Sequence, residues 1–141
     1  MTERSIFLAI RPRHAANILQ GVKTVELRRT PPRIATPTMA YLYASSPTKA
    51  IVGTCRITHI ETCSPSQLWA RHGPATGITR AEFRAYFSRC EQAHALHITD
   101  PLSLGSPVEL EQMRLRWRGF HPPQSFRYLT PSLVATLQLT A

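Results

Sequence analysis

Between Pro12 and Arg28 a helix that opens on proline and closes on glycine runs directly into an alternating strand, and this unit constrains the fold more than any other stretch. Pro12 sits in a first helical turn, where a missing N–H costs nothing. Ala15, Ile18 and Leu19 make one apolar stripe over Pro12 to Gln20, and Gly21 is the expected left-handed cap. Beyond it Val25 and Leu27 point to one face while Thr24, Glu26 and Arg28 point to the other, the two-residue period of a half-buried strand. Ser5 to Ile10, short, apolar and carrying β-branched residues, reads as a strand before the helix.

The remaining chain reads as more short elements. Thr30 to Pro37, with Pro31, Pro32 and Pro37, must be an irregular loop, and Thr38 to Ala44 a core strand with Tyr41 and Tyr43 on one side. Ala50 to Ile60 is a further strand, in which Gly53 marks a bulge or a close backbone approach. Ser64-Pro65 opens a short helix through Leu68 and Trp69, and the capping box Thr79 to Glu82 opens another with Phe83, Tyr86 and Phe87 as its stripe. Ala93 to Thr99 reads as a strand, Ser106-Pro107 as the start of a helix carrying Leu110, Met113 and Trp117, and His121 to Tyr128 as an ordered loop. Thr130 to Leu139 fits either a helix capped by Thr130 or a closing strand. Short strands interrupted by helices predict an α+β fold around a small, partly open β-barrel with flanking helices. No repeat or linker divides the chain, so residues 1–141 are expected to form a single domain.

Composition narrows the function. The apolar runs Ile6 to Ile10 and Met39 to Ala44 are too short to cross a bilayer, and the start Met-Thr-Glu-Arg leads into no signal-type run, so a cytoplasmic protein without membrane partners is expected. Cys55, Cys63 and Cys90 have no CxxC spacing and read as free thiols, with no disulfide-linked partner. A formal charge of +9 creates a field that attracts polyanions, nucleic acid first among them. Fifteen of the 17 basic residues are arginine, a bias that a GC-rich coding sequence also produces, so position matters more than the total. Arg4, Arg11, Arg13, Lys23, Arg28, Arg29 and Arg33 crowd the first third against only Glu3 and Glu26.

The leading candidate site is Lys23 with Glu26 and Arg28, beside Thr24 on the same strand face. Arg28 and Lys23 suit phosphate or carbonyl oxygens, and Glu26 suits amino or imino groups of a base. The alternative is that Glu26 and Arg28 simply pair on a solvated face. Tyr43-Ala44-Ser45-Ser46-Pro47 is a second candidate, offering hydroxyls, backbone N–H groups and an aromatic at a strand end, unless Tyr43 is core and the serines only form the turn. The stretch Phe120 to Tyr128 could cover the mouth of a site or anchor its loop to the core. The six histidines and three cysteines show no metal-site spacing. Asp100, the only aspartate, precedes Pro101 in a turn, and there is no G-x-S-x-G elbow, P-loop or G-x-G-x-x-G, so neither a serine triad nor a cofactor is expected.

The series Ile10-x-Pro12, Ile18 and Gly21-x-Lys23-x-x-Glu26-x-Arg28, continued by Tyr43 to Pro47 and Ile51-Val52-Gly53, resembles the signature of the ASCH domain family, most strongly over residues 5 to 58. The resemblance implies a PUA-like β-barrel with a cleft lined by Lys23, Glu26 and Arg28 and an RNA or nucleotide ligand. One branch of the family resembles amidohydrolases of acetylated cytidine that use a threonine two residues before the motif arginine, where this chain has Glu26. Another is similar to metal-assisted ribonucleases. The expected function is an RNA- or modified-nucleotide-binding module, with Arg11, Arg13, Arg29 and Arg33 extending a phosphate-binding surface and Tyr43, Ser45 and Ser46 at its rim. The alternative is a hydrolase of a modified nucleoside or RNA acting through Lys23, Glu26 and Thr24.

Overall fold

Strand β1 (Ser5–Ile10) sends Ile6, Leu8 and Ile10 to one side and Phe7 and Ala9 to the other, and both sides are buried. Its apolar run therefore reads as continuous rather than alternating, as expected for a strand covered on both faces. In the computed structural model, which describes residues 4–137 and Leu139, β1 lies between β3 (Thr38–Ala44), with which it runs parallel, and β6 (Phe126–Leu129), with which it runs antiparallel. The long strands β4 (Ala50–Cys63) and β5 (Ala93–Glu109) form an antiparallel ladder, and β2 (Val25–Arg28) pairs with the first half of β5. The sheet order is β2-β5-β4-β3-β1-β6.

This sheet curls into a half-barrel. Its first strand meets its far end through one side chain: Arg28 of β2 donates to the Ala9 carbonyl of β1 at 3.1 Å and to the Ser125 hydroxyl, just ahead of β6, at 3.0 Å. Helix α1 (Pro12–Leu19) packs Ala15 and Ile18 against the core made by Ile6, Leu8, Leu42, Ile57 and Leu96. Helix α4 (Leu110–Arg116) covers the opposite face, where Met113 and Trp117 meet Phe7, Tyr41 and Tyr43. Helices α2 (Pro65–His72) and α3 (Arg80–Tyr86) place Leu68 and Phe83 against Val25 and Leu27.

Local signals in the sequence appear where expected. Ser64, Thr79 and Thr130 accept hydrogen bonds from Gln67, Glu82 and Leu133 N–H groups, the last resolving the ambiguous end into a short helix, α5 (Pro131–Ala135). The final stretch read with it reaches Gln138, outside the described residues. Gly21 takes φ = 80° directly after α1. At Gly53 both readings hold: the β4–β5 register shifts between Ile51 and Gly53, and a Cβ there would lie 2.5 Å from Leu19 Cδ2 and 2.7 Å from the Leu102 carbonyl oxygen.

Three expectations need correction. β2 is buried on both faces, because the polar side faces into the curl. The helix expected from Ser106 starts at Leu110, since Ser106 to Glu109 continue β5, pairing Val108 with Ile51 and Glu109 with Ala50. The loop expected over His121 to Tyr128 ends in β6, recruited by β1. No helix among the described residues is long and apolar enough to cross a membrane.

Candidate functional site

Lys23, Glu26 and Arg28 form a buried ion triad at the closing seam of the half-barrel. Glu26 Oε2 lies 2.6 Å from Arg28 Nη2, and Oε1 lies 3.5 Å from Lys23 Nζ, with exposures of 2%, 6% and 7% for Lys23, Glu26 and Arg28. The solvated pair considered from sequence is thus a desolvated one. Lys23 also donates to the Thr76 carbonyl, and its stem packs on Gly77, whose φ of +71° and missing Cβ make room for it. Burial pushes the Glu26 carboxyl up, but the Arg28 and Lys23 charges outweigh it and hold the group below its ordinary value. Burial lowers Lys23, with Glu26 only partly offsetting it.

The triad forms part of the lining of a cleft of about 970 Å³. Nine of the ten binding residues expected from sequence line this cleft: Lys23, Glu26 and Arg28, with Arg11, Arg13 and Arg29 and with Tyr43, Ser45 and Ser46. Thr24 does not join them. It is exposed, and its backbone bonds with Ala75 and Ile98. Arg33 also lies elsewhere, its N–H donating to the Tyr128 hydroxyl. Tyr43 is only 3% exposed and its ring stacks on Phe7 at 5.2 Å, so it is a core residue that offers no free face to a base. In the loop after α4, Phe120 is buried in the core and Phe126 packs against it, so the aromatics of that stretch anchor the loop, while Pro122, Pro123 and Gln124 line the cleft.

The cations of the cleft divide by partner. Arg13 pairs with Glu82 at 2.6 Å, and Lys23 and Arg28 are held by Glu26. Arg11, Arg29, Lys49 and Arg114 have no carboxylate partner among the described residues. Arg29 is nevertheless fixed, its guanidinium 4.3 Å from the Tyr86 ring centroid and its Nε donating to the Tyr86 carbonyl at 2.7 Å. Four uncompensated cations around a buried triad suit a ligand with several phosphates.

Sequence reasoning missed Lys49, Arg114 and His14. Lys49 and Arg114 come from distant segments and no local pattern marks them. His14 had one available signal, its place four residues before buried Ile18 on α1. Burial and the Lys23 charge lower its pKa, and its Nδ1 has no hydrogen-bond partner. Spacing also missed a second cluster, in which His59, Glu61 and His97 place one donor atom each within 4.8 Å of the others.

A curled α+β sheet closed by side chains, with a basic cleft at the seam, is a PUA-like architecture. The ASCH domain family model matches residues 8–102, and the chain belongs to that family. An ASCH domain-containing ribonuclease from Zymomonas mobilis is 31% identical over 122 residues, covering 86% of this chain and 82% of that protein. The crystal structure of ASCH from Zymomonas mobilis superimposes with a TM-score of 0.92 at 28% identity over 96% of each chain. The N-terminal domain of Staphylothermus marinus McrB shares the fold at 12% identity, with a TM-score of 0.59.

Proposed function

We propose that this chain is an RNA-binding module that seats single-stranded RNA, or a modified nucleotide within it, in the seam cleft. The observation that carries the reading is the set of four cations without carboxylate partners, Arg11, Arg29, Lys49 and Arg114, around one cleft. Its volume lies at the upper end for small-ligand sites. Similarity to a protein named as a ribonuclease supports RNA as the polyanion. Four phosphate contacts give a salt slope of about −3 on a log–log plot for a single strand. Anisotropy of a labelled oligoribonucleotide measured across salt tests this, and Lys49→Ala with Arg114→Ala should flatten the slope by about 1.4. Equal slopes and affinities for parent and double variant would refute the reading.

A second reading, RNA cleavage in the same cleft, is favoured by His14. His14 lines the cleft and burial lowers its pKa, but its unpartnered Nδ1 is itself buried, so Nε2 is the ring nitrogen that would take the proton of a 2′-hydroxyl. Loss of cleavage in His14→Ala with RNA affinity retained would support it, and no cleavage by the parent would remove it. Deacylation of a cytidine is disfavoured, because Glu26 occupies the nucleophile position and is bound to two cations.

A further inference from the structure

The second polar cluster lies on β4 and β5, where the cleft does not reach. His59 and Glu61 stand two residues apart on β4 and share a face, and His97 of β5 is the cross-strand partner of His59. Their imidazoles stack at 4.0 Å, only 8° from parallel. Glu61 Oε1 lies 3.0 Å from His97 Nε2 and 2.8 Å from Nε2 of His72, the last residue of α2. On β2 the partner of His97 is Val25, not Glu26, so the cluster faces away from the ion triad.

We infer that His59, Glu61 and His97 bind a divalent ion of the zinc class. Two imidazoles and a carboxylate favour zinc, cobalt or nickel over magnesium or calcium, which take oxygen donors. Bonds of ~2.0–2.1 Å in a tetrahedral site put donor atoms about 3.3 Å apart. Glu61 already meets both His97 and His72 close to that separation. The His59 donor has to move in by at most about 1.5 Å to reach it, and its exposed ring must turn out of the stack on His97 to aim at the same ion. Thr58 Oγ1, 3.2 Å from His59 Nδ1, occupies that nitrogen and leaves Nε2 for the metal. Arg71 Nη1 holds the other Glu61 oxygen at 2.8 Å, fixing the carboxylate's orientation.

The competing account is a hydrogen-bonded network in which two histidines donate to Glu61 and no ion is involved. His59 separates the two, because it makes no hydrogen bond to Glu61 and only stacks on His97, whereas the metal site requires it as a donor. The proposal does not depend on RNA binding.

The test is cobalt titration of the full chain after chelation, read by visible absorption, with zinc as competitor. One ion per chain is expected, with intense tetrahedral bands that zinc abolishes. His59→Ala, Glu61→Gln and His97→Ala should each weaken binding at least tenfold, and His121→Ala should leave it unchanged. Zinc should raise the melting temperature of the parent but not of His59→Ala. Binding of cobalt by His59→Ala as tight as the parent's would overturn the assignment. So would less than one ion per chain at millimolar metal, or a thiolate charge-transfer band abolished by Cys63→Ser.

Discussion

Glu26→Gln removes the one anion of the buried triad and keeps the side chain's size. Arg28 retains the Ala9 carbonyl and Ser125, and the glutamine carbonyl can still accept from it, whereas Lys23 keeps only the Thr76 carbonyl. Breaking a buried pair at one partner costs about 3–5 kcal/mol, and the remaining acceptors place this case near 3. In a domain of this length that lowers the melting temperature by roughly 10 °C. The pH dependence is more specific. Glu26 is held below its ordinary value in the folded state, so its contribution is present above the unfolded carboxylate range and is lost as pH falls through the folded pKa. Lys23 is lowered, so stability rises with pH from its folded pKa toward its unfolded one, and removing Glu26 lowers the folded pKa further. The difference between parent and variant should therefore be largest near neutrality and shrink toward both acid and alkaline pH. Urea denaturation followed by circular dichroism across that range measures it. Adding Lys23→Met should recover at least about 1 kcal/mol by removing the orphaned charge. A deficit under about 0.5 kcal/mol, or one constant with pH, would refute a buried, mutually dependent triad.

Gly77→Ala should destabilise by more than Gly119→Ala in thermal melts. Both glycines have positive φ, worth about 1–2 kcal/mol, but only at Gly77 does the new Cβ meet a neighbour, Lys23 Cβ at 3.2 Å. Thr79→Ala removes the α3 cap and should cost about 1 kcal/mol in chemical denaturation. Cys55, buried and with its pKa pushed up to about 12, should resist an aromatic disulfide reagent at pH ~8 until the protein unfolds, as counted by released chromophore.

Features written in a few consecutive residues were legible in the sequence. Pro12 and Gly21 bracket α1, and Ser64 and Thr79 cap their helices, because a cap is a bond across three residues. The run Gly21 to Arg28 pointed to the cleft for the same reason. What pairing between distant segments decides was not legible. Pro107 after Ser106 mimics a helix start, yet its ladder with β4 holds the chain extended to Glu109, where Gln112 accepts the Glu109 N–H and the helix can begin. Phe126 to Leu129 became a strand only because β1 offered an edge. His59-x-Glu61 was a visible alternation on one strand, but its meaning required His97 to arrive from another.

The side-chain closure by Arg28 also bears on when during synthesis the site comes into being. Arg28 emerges early from a ribosome, but Ser125 follows 97 residues later. Strand β2 meanwhile waits for His94 to His97 before it has a ladder to join. A growing chain thus carries most of the cleft's charge long before it has the cleft, and the Ser125 side of the seam arrives only with the last strand. Truncation ahead of Phe126 should leave a basic polypeptide without a binding site rather than a weaker version of one.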